Sequence, residues 1–345
     1  MRSFFLFSLL VLLLSAGPSA GREKPSPPAR KAGLLATYTI IADMAQSPVS
    51  HGGLKYERDN GAGNILLIKE RVSSGDPLYR MIEKLPLPPG EKGKLLGKLS
   101  RGILKIAVDM GARPKYWRHN VELFEKSHAS SLDFPGPPDL IIITHNHWTN
   151  YSGGLEYYQK HCPSVPVLIT EDMKRGFLCF DFDQAGAPMF QTIRTVYAKY
   201  PLVMKTGYTP LTRHLAVITR QFRVAKPTIA VVNGQVSTSA YRDYPEYENT
   251  LVVRTKEGNA LFTTCLHSLL YDAVNIAQTK TGKPVYLFCG GYEERHPAIK
   301  LAKQIAPDIE FWLCHCARVE VLQQLYKYPQ WISRISMGES ITIEE

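Results

Sequence analysis

The 345-residue sequence predicts a layered α/β domain with two β-rich halves and helices packed outside them. Two observations predict it. Short apolar, β-branched runs bounded by turn residues recur along the chain, and stretches with apolar residues at three- and four-residue spacing lie between some of them. In the second half the two kinds alternate closely, whereas the first half carries hairpin-like runs. The composition, 44% hydrophobic and 21% charged, is that of an ordinary globular protein with room for one large domain or two small ones. No internal repeat is visible.

The N-terminus carries its own signal. Arg2 precedes an apolar run, Phe4–Leu14, broken only by Ser8, and the small residues Ser15, Ala16, Gly17, Ser19 and Ala20 follow. That order predicts a signal peptide over residues 1–21, cut near Ala20 or Gly21, and a secreted or periplasmic mature protein. Pro18 is awkward so close to the cut. The competing reading is an uncleaved anchor, for which the run is short. No Cys lies beside the cleavage region, so a bacterial lipid anchor is not indicated. Residues 22–34, rich in Pro and basic residues, read as a linker. A single domain is expected over residues 35–345.

Within it the predicted strands are Thr37–Ala42, Asn64–Ile68, Leu104–Val108, Leu140–Thr144, Val165–Thr170, Thr228–Val232, Thr250–Arg254, Ala260–Thr264, Val285–Phe288 and Glu310–Leu313. The predicted helices are Pro77–Lys84, Trp117–Lys126, Gly154–His161, Leu269–Thr281, Pro297–Ile305 and Arg318–Tyr326. Gly75–Arg101 is polar and helix-like with a Pro-rich centre, Leu85–Gly90, and reads as an inserted flap.

Charge and cysteines bound the partners. Loss of Arg2 takes the 41 basic residues to 40 against 31 acidic ones, a charge near +9 that favours an anionic small-molecule substrate. No Lys/Arg-rich run is interleaved with aromatics, so no nucleic-acid partner is expected. After the signal, no apolar stretch is long enough for a stable membrane span. Nothing in the sequence points to a particular oligomeric state. Six cysteines in an exported chain allow fifteen full pairings, of which Cys162 with Cys179 is the first to try; no CxxC pair exists.

The segment Leu140–Gly154 carries the sharpest chemical signal: a buried strand ending at Thr144, then His145, Asn146, His147, and later Gly153 and Gly154. In an extended segment residues two apart point the same way, so both imidazoles can meet one ion at the strand's C-terminal end. Neutral imidazole is a good zinc ligand. His267 and His315 each follow a strand-like segment as His145 does, and could converge on the same rim. Equally, His267 could cap the helix that follows it. Three histidines would leave one zinc position open for water or substrate. Asp109, two residues before Gly111, either orients a ligand histidine or caps a turn. Glu293, Glu294 and His296, after a Gly-Gly, are either a substitute ligand or base, or a solvated loop. The one Gly-x-Ser-x-Gly, Gly17–Gly21, lies in the signal region without strand or helix around it and is no nucleophile elbow. No phosphate-binding P-loop occurs.

Thr144, His145, His147, Gly153 and Gly154 resemble the Thr-His-x-His-x-Asp-His…Gly-Gly signature of the metallo-β-lactamase superfamily. Thr149 stands where that family has Asp, and Asn150 where it has His. Four further segments resemble the branch of dihydropterin–ribofuranosylaminobenzene-phosphate synthase-like proteins: Ile106–Gly111 with Arg118–Asn120, Ala260–His267, Thr281–Gly291, and Leu313–Cys316. The resemblance runs from about Thr37 to Gly338. It implies a four-layer αββα sandwich, with zinc held by His145, His147, His267 and His315, and Asp109, Asn150 and Glu293 as candidate catalytic residues. The positions of Thr149 and Asn150 usually serve a second metal, so one ion is expected, Asn150 offering at best a neutral oxygen. The implied activity is metal-dependent hydrolysis; the alternative is a non-catalytic scaffold that binds a ligand.

Overall fold

Successive side chains of a strand face opposite ways, so a strand buried at every position must be covered on both sides. Gly63–Ile68, Leu104–Val108 and Asn259–Leu266 are of this kind. The computed structural model describes residues 33–43, 49–51, 53–57, 61–128, 136–182, 188–221, 231–232, 235–236, 246–268, 270–292, 297–314 and 330–345. The chain divides into Met1–Ala32 and Gly33–Glu345, and the described residues all belong to the second unit.

Two seven-stranded sheets supply the cover. We number their strands together along the chain. The first sheet holds β1 (Leu34–Ala42), β2 (Gly63–Ile68), β3 (Leu104–Val108), β4 (Leu140–Ile142), β5 (Val167–Ile169), β6 (Pro201–Val203) and β14 (Ser340–Glu344), in the order β6-β5-β4-β3-β2-β1-β14. The second holds β7 (Gly207–Pro210), β8 (Leu215–Gln221), β9 (Tyr247–Arg254), β10 (Asn259–Leu266), β11 (Val285–Tyr292), β12 (Glu310–Leu313) and β13 (Ile332–Arg334), in sequential order. Each sheet is antiparallel on one side and parallel on the other, the change falling at the β3–β4 pair and the β10–β11 pair.

The described helices are α1 (Pro77–Glu83), α2 (Pro89–Leu99), α3 (Pro114–His128), α4 (Trp148–His161), α5 (Leu270–Thr281) and α6 (Pro297–Ile305). Alternation sorts the apolar side chains into three clusters. Leu66, Ile106, Val217, Leu251 and Phe262 fill the space between the sheets. Ile65, Leu67, Ala107 and Ile141 face Trp117, Phe124 and Leu155 of α3 and α4. Ala216, Ile218, Leu261 and Phe288 face Ala273, Val274 and Ile299 of α5 and α6. Three apolar layers between four structural ones make the αββα sandwich expected from the sequence. No helix among the described residues is long and apolar enough to cross a membrane.

Several expectations change. Gly75–Arg101 is not a flap: Leu78, Ile82, Leu85, Leu87, Leu95 and Leu99 of the α1–α2 pair are buried in the inter-sheet core, and the Leu78 N–H donates to the Leu211 carbonyl at 2.8 Å. Strands β6 to β8, β13 and β14 were not foreseen, nor was the ribbon Phe177–Phe182 with Pro188–Val196. The helix expected from Gly154 starts at Trp148, with Gly153 and Gly154 inside it. A Cβ on Gly153 would lie 2.5 Å from the Met110 carbonyl oxygen, and one on Gly154 2.6 Å from Met110 Cβ. The Gly-Gly is therefore a close-packing surface of α4. Cys162 is a free thiol packed against the apolar cluster under α4, so its expected bridge to Cys179 is not formed. Cys265, Cys289 and Cys314 are buried. Residues 228–230 of one expected strand and the expected helix Arg318–Tyr326 lie outside the described residues.

Candidate metal centre

The site lies where the C-terminal end of β4 meets the start of β9 and the end of β10. Strand β4 stops at Ile142, and the chain then crosses to the other sheet. The Asn249 N–H donates to the Thr144 carbonyl at 2.6 Å, and Asn249 Nδ2 donates to the Ile143 carbonyl at 2.9 Å. His145 forms an isolated antiparallel bridge with Glu248. The rims of the two sheets are thus tied at the residues that carry the imidazoles.

His145, His147 and His267 converge there, each offering one ring nitrogen, and these nitrogens lie within 4.8 Å of one another. The pair His145 Nε2 and His267 Nε2 is 3.0 Å apart. Zinc–nitrogen bonds of 2.0–2.1 Å in a tetrahedron require ligand nitrogens about 3.3 Å apart, so the His145–His267 pair has nearly that spacing and the third nitrogen is close enough to share one ion. His145 is fully buried, while His147 and His267 are half-buried and give the site its opening.

Donor counting fixes the state of His145. The Thr144 hydroxyl donates to Asp109 Oδ2 at 2.5 Å, which leaves its oxygen to accept from His145 Nδ1 at 2.9 Å. With the proton on Nδ1, Nε2 presents its lone pair to the site. Asp109 is the hub behind this arrangement. Its Oδ1 accepts the Thr144 N–H at 2.8 Å, and its Oδ2 also accepts the Thr264 hydroxyl and Asn150 Nδ2, the latter at 3.2 Å. Full burial raises its carboxyl to about 6, against the pull of those hydrogen bonds. Asp109 has φ +53°, the one positive value at a non-glycine residue among those described, which aspartate tolerates better than most side chains.

Asn150 is buried beside this hub. Its Nδ2 donates to Thr264 Oγ1 at 3.0 Å and lies 3.3 Å from His145 Nε2, while its Oδ1 accepts the Thr149 hydroxyl at 3.2 Å. The amide is therefore committed to holding Asp109 and Thr264. Asn120, from the resembling Arg118–Asn120 segment, is a strut away from the imidazoles: its Nδ2 donates to the Ile41 carbonyl at 2.9 Å. Glu293 and His315, with Glu294 and His296, lie outside the described residues.

Sequence reasoning missed Glu248. This fully buried carboxylate accepts the backbone N–H of His267 at 2.8 Å and that of Ser268 at 3.2 Å, takes the Ser268 hydroxyl, and pairs with the buried Arg220 guanidinium. The available signal was an acid two residues before the apolar run Thr250–Val253.

Against solved structures, the fold is that of the metallo-β-lactamase superfamily. A metal-dependent hydrolase of the β-lactamase superfamily is 14% identical, with 90% of this chain and 100% of that one covered and a TM-score of 0.53. The metallo-β-lactamase fold protein YhfI from Bacillus subtilis is 12% identical over 90% of this chain and 100% of its own, with a TM-score of 0.43. Zinc-bound PqqB from Methylobacterium extorquens is 8% identical over 89% and 100%, with a TM-score of 0.41. No protein-family model matches the sequence, and no curated protein does.

Proposed function

We propose that this protein is an exported, zinc-dependent hydrolase of an ester, amide or phosphoester, with one metal ion held by His145, His147 and His267. The observation that carries the reading is the convergence of three imidazoles from two sheets, one of them held in the tautomer that offers Nε2. Zinc in such a site supplies a Lewis acid and lowers the pKa of water to about 7. The chain's own residues do the rest. Asp109 and Thr144 orient His145, Asn150 holds Asp109 from the side, and Glu248 fixes the backbone that presents His267. The similarity in fold to a protein described as a metal-dependent hydrolase agrees with this reading.

A second reading has its own support. Thr149 and Asn150 replace the acidic and histidine ligands of the resembling signature, and the Asn150 amide is committed to internal hydrogen bonds. A scaffold that binds a ligand without turning it over would tolerate that loss. Metal analysis of protein purified without chelators, followed by a broad hydrolase screen, separates the two. Zinc with turnover that His147→Ala abolishes supports the hydrolase. Folded, metal-free, inactive protein supports the scaffold. Replacing His315 as well tests its expected part in the site.

A further inference from the structure

A second concave site lies at the opposite end of the strands from the imidazoles. Strand β9 carries Glu248 near its start and Arg254 at its end. Six residues of strand at about 3.4 Å each separate the two by about 20 Å. Around Arg254 a cavity of about 280 Å³ is lined by Arg213, His214, Arg254, Lys256, Lys280 and Lys283, with two threonines, Thr255 and Thr281. No carboxylate is among its described lining residues.

Three segments build this cavity and are tied to one another through backbone carbonyls. The turn before β8 meets the end of β9 where the Arg254 N–H donates to the His214 carbonyl at 2.7 Å and His214 Nδ1 lies 2.9 Å from the Arg254 carbonyl. The Arg254 guanidinium donates to the Thr212 carbonyl. The segment after α5 joins them where Lys283 Nζ donates to the Thr255 carbonyl at 2.8 Å. Arg254 and Lys283 are thus positioned by neutral acceptors, which orient a charge without cancelling it. Among the described residues, one lining cation has a carboxylate partner: Lys256 lies 3.7 Å from Glu345, in an exposed pair of the kind that contributes little. Glu70 lies beside the cavity, accepting the Thr212 hydroxyl and the N–H of the lining residue His214, so one negative charge stands behind the five cations.

Local structure accounts for part of the charge. Lys280 sits in the last turn of α5, where a cation complements the helix dipole. That does not explain Arg213, Arg254 and Lys256, which come from other segments. Collecting like charges round one concavity is unfavourable unless an anion offsets it, and a concave cationic wall concentrates anions.

We propose that this cavity is a binding site for a small ligand carrying two or more phosphate groups, separate from the metal centre. Its size suits a compact phosphorylated molecule, and its five Lys and Arg side chains exceed what one phosphate requires. Pyrophosphate is the probe, titrated calorimetrically into the full mature protein, with Arg213→Glu/Lys280→Glu and His147→Ala as variants. Both charge-reversed positions are exposed, so the fold should persist, with circular dichroism as the check. The expected result is binding to the parent that His147→Ala leaves unchanged, that the double reversal weakens at least tenfold, and that added salt weakens. No binding to the parent overturns the proposal. So does binding that survives the double reversal, or that is lost only in His147→Ala, which would place the anion at the metal centre. Weakening by the double reversal, with stronger binding of a single-stranded oligonucleotide than of pyrophosphate, would replace the small ligand by a nucleic-acid backbone and overturn the ligand class.

Discussion

The carboxylate of Glu248 accepts the backbone N–H of His267 at 2.8 Å while its charge is met by the buried guanidinium of Arg220. One side chain therefore both places a candidate ligand and anchors a cation from the neighbouring strand. Removing one partner of a buried ion pair leaves the other charge uncompensated, at a cost of about 3–5 kcal/mol. Glu248→Ala should lower stability by that order in urea unfolding. Glu248→Leu/Arg220→Met should recover much of the stability, because no charge is then stranded. It should not recover zinc affinity, because nothing accepts the His267 N–H. Full recovery of both would remove Glu248 from the site.

Asp109 acts through Thr144. Its two oxygens accept four donors, namely the Thr144 N–H, the Thr144 and Thr264 hydroxyls and the Asn150 amide. An asparagine in its place has one oxygen and must turn an NH₂ toward some of those donors. Thr144 would then no longer be obliged to accept from His145 Nδ1. Asp109→Asn should weaken zinc by the roughly 10–100-fold typical of groups that orient a ligand from behind, measured by competition with a chelator. An unchanged affinity would show that the imidazole holds its tautomer without Asp109.

How much of this was legible in the sequence follows from the range of each interaction. His145 and His147 could be paired because alternation along an extended segment is a local rule. Strands such as Leu104–Val108 were legible because every position is apolar or, for Lys105, spans the layer to reach Glu125 at 2.6 Å. Strand β8 was missed because it ends in Thr219, Arg220 and Gln221. The first two are buried only by virtue of Asn249 and Glu248, about thirty residues later. Glu248 was missed for the same reason: a carboxylate in a strand reads as solvent-facing until its distant partners are known. The place of the Gly-Gly was also hidden, since the surface it packs on, Met110 and Gly111, is forty residues earlier.

That packing gives a stability test. Gly→Ala inside a helix ordinarily stabilises by about 1 kcal/mol. In α4 the sign should reverse. The added methyl at Gly153 meets the Met110 and Gly111 carbonyl oxygens at 2.5 and 2.8 Å, backbone atoms that cannot turn aside. At Gly154 the nearest atoms belong to the Met110 and Trp117 side chains, which have more freedom. Gly153→Ala should cost about 1–3 kcal/mol of overpacking, more than Gly154→Ala. Urea denaturation gives both values, and a stabilised Gly153→Ala would show that α4 sits further from the Met110 turn.

Metal stoichiometry tests the site as a whole. Three imidazoles from β4's extension and the end of β10 suffice for one zinc with an open position. A second ion would need donors where Thr149 and Asn150 stand. A threonine hydroxyl is a poor zinc ligand, and here it donates to Asn150 Oδ1, while the Asn150 NH₂ faces Asp109, Thr264 and His145. With its NH₂ spent on those acceptors and its Oδ1 accepting the Thr149 hydroxyl, Asn150 offers a second cation no more than a weak neutral oxygen. Elemental analysis of protein purified without chelators should therefore give one tightly held zinc per chain, and His147→Ala should lose it while circular dichroism stays unchanged, since a chain of this length buries a core without a metal. Two tightly held ions would contradict this and would direct attention to Glu293 or His296 as replacement ligands. Asn150→His, set beside the same hub, should raise the stoichiometry above one only if Thr149→Asp accompanies it, because the single replacement leaves the second position without a carboxylate.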